Sequence, residues 1–189
     1  FFRQVFEDQE DDDNADPVTE ESVLEMANAT FRPKRMLRWH YRSRNSSLIR
    51  FSNRVMYDDN LIVFPSPNED DKSGGVSLVE TNGLYKAGLN DIEAHKVVEH
   101  VLEFMRSHPE KSLGVVAVNK AQAEHIRELL DYQIARNSLA FDYVERWKER
   151  DGGLNPFFVK NLENVQGDER DVIFISTVYG PPAPGKKPL

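Results

Sequence analysis

The chain has no cysteine among its 189 residues, which excludes disulfides and thiolate metal sites and suits an intracellular setting. No apolar run approaches the roughly 20 residues that span a bilayer, and no basic segment followed by an apolar one opens the sequence. A cytoplasmic protein with no membrane partner is therefore expected. Positive charge is scarce as well. The formal net charge of −8 argues against a uniformly basic nucleic-acid binder, although a local basic groove remains open to it. Much of the acid lies in residues 7–16, a run that reads as solvated loop. No Gly-x-x-x-x-Gly-Lys-Ser/Thr phosphate loop occurs, and the Asp168-Glu169 pair precedes a strand instead of following one. His40, His95, His100, His108 and His125 show no metal-ligand spacing, so no metal site is expected. There is no Gly-x-Ser-x-Gly elbow for acyl transfer.

What is present reads as one compact α/β domain. Thr19 and Ser22 stand at the start of a connector helix ending near Asn28. Residues 36–41 predict a short strand, and Asn45 or Ser46 a cap for a helix with Leu48, Ile49, Phe51, Val55 and Met56 at helical spacing. Arg32, Lys34, Arg35, Arg38, Arg42, Arg44, Arg50 and Arg54 make the most positive stretch, readable as a solvated face or a phosphate-facing one. Residues 60–67, closed by two prolines, read as an edge segment, and residues 76–80 as an alternating strand. A helix opens at Asp91 with Val97, Val98, Val101, Leu102 and Met105 inward. A buried strand over 113–118, a helix over 121–130 and a less regular helix over 132–150 follow.

A short β run at 157–159 and an apolar run at 172–178 complete the series. The latter lacks clean alternation, as expected of a strand covered on both faces. The succession predicts a central parallel sheet with right-handed crossovers and helices on both faces. Residues 1–30 form an acidic linker and connector helix, 31–180 the domain, and 181–189 a turn-rich tail. With no initial Met and a Pro-rich end, the chain reads as a piece of a longer protein.

The chemistry concentrates between the last two strands. Val165-Gln166-Gly167-Asp168-Glu169-Arg170-Asp171, followed by Val172-Ile173-Phe174-Ile175-Ser176, resembles motif V of superfamily 1 helicases. In the same order, Leu37-Arg38-Trp39-His40-Tyr41-Arg42-Ser43 resembles their Tyr-Arg element. Asn90-Asp91-Ile92-Glu93-Ala94 resembles an Asn-x-x-Glu-Ala helix opening, and residues 113–122 a Gly-hydrophobic strand that ends before a glutamine. The resemblance covers residues 36–180 and points to the superfamily 1B helicases related to the nonsense-mediated-decay helicase, in their large bacterial branch.

That resemblance implies the second RecA-like domain, of the P-loop NTPase type with three layers, of an ATP-dependent helicase. Phe1-Phe2-Arg3 is similar to residues just past motif III, so the chain would begin after the first RecA-like domain and stop before motif VI. Arg42 would contact the γ-phosphate, with Tyr41 beside it. Glu169 would hold the ribose or the metal shell, and Gln166 with Gly167 would couple nucleotide state to the nucleic-acid track. Asn161, Ala117 and Gln122 would line that track. ATP and Mg2+ would be shared with the first RecA-like domain, itself an expected partner along with single-stranded DNA or RNA. Alone, the chain should hydrolyse nothing.

Two departures bear on substrate grip. Ala117-Val118-Asn119 stands where the family has Thr-Pro-Tyr, and Ser43-Arg44-Asn45 where it has Met-His-Pro. They are the best support for a competing reading, a non-catalytic RecA-like module that binds a partner or nucleic acid. Arg42 and Glu169 together speak against it. A nuclease-associated domain is a third reading.

Overall fold

The computed structural model describes residues 22–43, 45–65 and 74–186 of a chain that divides into two units, 1–77 and 78–189. The acidic run 7–16, Thr19, Arg44, the loop 68–73 and the last three residues of the tail lie outside the described residues. No helix among the described residues is long and apolar enough to cross a membrane.

In the first unit, α1 (Val23–Thr30) begins with a capping box. The Ser22 hydroxyl accepts from the Glu25 backbone N–H, and the Glu25 carboxylate accepts from the Ser22 N–H. Two short parallel strands, β1 (Trp39–His40) and β2 (Ile62–Val63), flank α2 (Ser47–Met56) in sequence. Asn53 of α2 ties the return to the helix, accepting from the Leu61 N–H at 2.9 Å and donating to the Leu61 carbonyl at 3.4 Å. Trp39 and Phe64 stack with ring centroids 5.3 Å apart.

The second unit contains α3 (Asp91–Ser107), β3 (Leu113–Ala117), α4 (Lys120–Ile134), α5 (Ser138–Glu149), β4 (Phe158–Asn161) and β5 (Val172–Ser176). Each helix starts on an asparagine. Asn90, Asn119 and Asn137 accept from the backbone N–H of Glu93, Gln122 and Ala140, satisfying a donor that the helix itself leaves open. Residues 76–80 form no strand. Val76 is 73% exposed and Leu78 83%, because alternation specifies a face but supplies no partner strand.

The sheet order is β4-β3-β5, with both pairings parallel and β3 central. Leu113, Val115 and Ala117 of β3 point into a core shared with Ala94, Val98, Val101 and Met105 of α3, Ala123, Ile126 and Leu130 of α4, and Ala140, Tyr143 and Trp147 of α5. The 140/143/147 spacing is what makes the irregular-looking stretch a helix. Burial, with Asp171 nearby, pushes the Tyr143 phenol above its ordinary value. It stays protonated and donates to the Lys111 carbonyl at 2.7 Å.

Parallel sheets flanked by helices give the α/β architecture expected from the sequence. Residues of α3, α4 and α5 share one core on the β4-β3-β5 sheet. On β5, Ile173 is 37% and Ile175 65% exposed, which corrects the expectation of a strand covered on both sides. The same face as Ile173 carries Phe158, whose ring lies over Gly114, the register partner of both.

A Cβ on Gly114 would sit 2.4 Å from that ring. Gly114→Ala is therefore expected to destabilise the chain by about 1–3 kcal/mol through overpacking. Urea unfolding would show a lower midpoint, partly recovered by Phe158→Leu in the same chain. An unchanged midpoint would mean that the ring moves aside at no cost.

Candidate functional site

Parallel strands bring their carboxyl ends to one edge. Ala117, Asn161 and Ser176 end the three strands, with Ala117 in register with both of the others. A 3-10 turn, Leu162–Asn164, leads from β4 into the 165–171 stretch. The Asp168 N–H donates to the Val165 carbonyl at 3.0 Å, closing a turn with Gln166 and Gly167 at its tip. Gly167 has φ +87°, and nothing lies within 4 Å of where its Cβ would be. The glycine is required by the backbone conformation and not by crowding.

Other residues of this stretch fasten the return to the sheet. Asp168 pairs with Lys160. The Arg170 side chain is 4% exposed, donates through Nε and Nη2 to the Pro156 carbonyl at 3.0 and 2.7 Å, and lies 4.7 Å over the Phe158 ring. Burial lowers the Arg170 pKa from its ordinary value. Asp171 accepts from the Ser112 N–H and hydroxyl, both at 2.8 Å, which joins the amino ends of β3 and β5. Gln166, Gly167 and Glu169 remain exposed at the surface.

Asn161 is only 6% exposed, and its side-chain oxygen has no hydrogen-bond partner among the described residues. An orphaned buried carbonyl oxygen is uncommon and costly. Ala117 and Gln122 behave differently. Both are fully buried at the same end of the sheet. Gln122 sits three residues past the Asn119 cap and points inward. It accepts from the Asn90 N–H at 2.9 Å and donates to the Asn90 carbonyl at 3.0 Å and the Ser176 hydroxyl at 3.3 Å.

Gln122 belongs to a buried network that the sequence reading did not assemble. The Glu93 carboxylate, 8% exposed, accepts from the Ser176 hydroxyl at 2.9 Å, the Val178 N–H at 3.1 Å and Asn90 Nδ2 at 3.0 Å. Asn90 Nδ2 also donates to the Val178 carbonyl at 3.1 Å. The network ties the starts of α3 and α4 to the exit of β5. Its visible signals were the Asn-x-x-Glu helix opening and a serine closing an apolar strand.

In the first unit, Tyr41 and Arg42 are both exposed just past β1. The turn that carries them is held locally. His40 Nε2 lies 2.8 Å from the Ser43 hydroxyl and accepts from the Ser43 N–H at 3.2 Å. Among the described residues no group of three His, Cys, Asp or Glu side chains is arranged to hold a metal ion.

Comparisons with known proteins agree on one neighbourhood. A family profile described as an AAA domain matches residues 19–181. The chain is 37% identical over 179 residues to an uncharacterized ATP-dependent helicase of Mycoplasma genitalium, and 35% identical over 179 residues to its homologue in Mycoplasma pneumoniae. Each alignment covers 93% of this chain and 16% of the relative, so the chain spans about a sixth of the length of the curated relatives it matches. No solved structure matches it.

Proposed function

Because the chain belongs to the AAA-domain family that its residues 19–181 match, we propose that it is the second motor domain of an ATP-dependent superfamily 1 helicase of the cytoplasm. The observation that supports this reading is the stretch that leaves the carboxyl end of β4 at Asn161 and presents the exposed Gln166-Gly167 turn and Glu169 on its way to the amino end of β5. In open α/β sheets, ligands bind outside the carboxyl ends of the strands. The helicase description of both relatives supports the same assignment.

Under this proposal the chain supplies half of a nucleotide site. Arg42 offers a permanently charged, forked set of donors suited to phosphate oxygens, and Tyr41 sits beside it. Glu169 offers a carboxylate toward the ribose or the water shell of a bound Mg2+. Gln166 and Gly167 stand between nucleotide and track, and Asn161 faces the single-stranded DNA or RNA. ATP with Mg2+ supplies the phosphoryl group whose transfer to water releases the energy. The first RecA-like domain of the same protein would contribute the phosphate loop that this chain lacks.

The test is ATP hydrolysis by the full-length protein with and without single-stranded DNA and RNA, alongside this chain alone. Stimulation by one or both nucleic acids is expected from the whole protein and no turnover from the chain. Nucleic-acid binding without any hydrolysis would instead support the passive module.

A further inference from the structure

From Ser176 to Gly180 buried and exposed residues alternate, with Ser176, Val178 and Gly180 inside and Thr177 and Tyr179 outside. Val178 holds an unusual backbone, φ +70° at a β-branched residue with no exposed surface. Such a conformation costs on the order of 1–3 kcal/mol and persists only where its surroundings over-determine it. Here they do. The Val178 N–H is held by the Glu93 carboxylate and its carbonyl by Asn90 Nδ2. The Tyr179 N–H then donates to the Thr177 carbonyl at 2.7 Å.

The outcome of this clamp is a direction. Tyr179 is turned outward, 53% exposed, immediately past the carboxyl end of β5. A second tyrosine backs it, since the Tyr85 ring lies 5.3 Å away, tilted by 47°. The segments bearing the two rings are pressed together. The Tyr85 N–H donates to the Pro181 carbonyl at 3.1 Å, and a Cβ on Gly180 would come within 2.9 Å of the Gly83 carbonyl. The strained, buried Val178 fixes an aromatic ring at the surface, whereas a core tyrosine would be turned in and covered. A rigid, exposed ring at the ligand-binding edge of a parallel sheet suits the flat face of a nucleobase.

Resting on the helicase reading above, we infer that Tyr179, backed by Tyr85, is a base-stacking platform for single-stranded nucleic acid. It acts on bases, separately from the backbone contacts assigned to Asn161. Stacking tolerates any base, so the platform would grip the strand without reading its sequence.

The experiment measures binding of a fluorescein-labelled oligothymidylate to the full-length protein by anisotropy over a range of salt concentrations. Tyr179→Ala is expected to weaken binding by about 5- to 150-fold, the loss of one stacked base. Tyr179→Phe, which keeps the ring, should bind within about twofold of the parent. Since no phosphate contact is removed, the dependence of affinity on salt should keep its slope in both variants. Photo-crosslinking of a 5-bromouracil oligonucleotide to the unaltered protein gives a second measurement that does not depend on how the variants fold, with attachment expected at Tyr179 or Tyr85.

Unchanged affinity in Tyr179→Ala, or crosslinks that avoid both tyrosines, would overturn the platform while leaving the helicase assignment standing. Failure of the unaltered protein to bind any single strand would overturn both.

Discussion

Full-length protein carrying Arg42→Ala should lose nucleic-acid-stimulated ATP hydrolysis by roughly 10³- to 10⁵-fold in kcat, the scale of an arginine that neutralises charge on a transferring phosphoryl group. The loss should fall on kcat more than on KM, because on the proposed reading the contact would strengthen as the transferred group pulls away from its leaving oxygen. Arg42→Lys should recover little of it. A lysine keeps the charge but presents a point donor where a planar fork is needed. Stability should be nearly unchanged in both variants. Arg42 is exposed, and the hydrogen bonds between His40 and Ser43 that hold its turn stay in place. Steady-state hydrolysis with saturating single strand, paired with a thermal melt, checks both halves. Turnover within about threefold of the parent would remove Arg42 from the nucleotide site, since even the weakest arginine finger is worth far more.

Much of the architecture could be read from residue pattern because its elements begin and end on local chemistry. The Asn-x-x-Glu-Ala opening at Asn90 announces α3, and the apolar 113–118 run becomes the fully buried central strand over 113–117. The turn at Gly167 was legible as well, since one glycine amid polar residues before a strand leaves few alternatives. Side-chain direction was less accessible. Spacing placed Ala117 and Gln122 at the right end of the sheet, yet both point inward, and a position near a strand end does not say which way a side chain faces.

Partnership across long sequence distances was the other blind spot. Glu93 in isolation looks like an ordinary first-turn acid on a solvated helix. Only the fold brings Ser176 and Val178, more than 80 residues away, onto its carboxylate. For the same reason Tyr85 and Tyr179 carried no signal in one dimension. The acids and bases between Gly167 and β5 divide in a way that no motif states. Asp168, Arg170 and Asp171 bind the chain to itself, and Glu169 is exposed.

Glu93→Ala in this chain is expected to cost about 3–5 kcal/mol, a large share of the roughly 5–15 kcal/mol that keeps a domain folded. Removing the carboxylate leaves the Ser176 hydroxyl, the Val178 N–H and one Asn90 amide donor without their acceptor in a buried setting, each costing on the order of 1–3 kcal/mol before relaxation. The carboxylate is held by neutral donors with no cation among its bonded partners, so Glu93→Gln isolates geometry from charge. One Gln oxygen can still accept from Ser176 and Val178, but its NH2 would then meet Asn90 Nδ2 donor to donor. An intermediate cost, about 1–3 kcal/mol, is expected. Urea unfolding should show the midpoint falling in the order parent, Glu93→Gln, Glu93→Ala, with the slope unchanged if the denatured state is unaffected. A Glu93→Ala midpoint matching the parent would mean that water enters and replaces the carboxylate, and that the network does not hold Val178 in its strained conformation. In that event Tyr179 would have no reason to stay fixed at the surface, so this stability measurement also bears on the clamp that aims the ring.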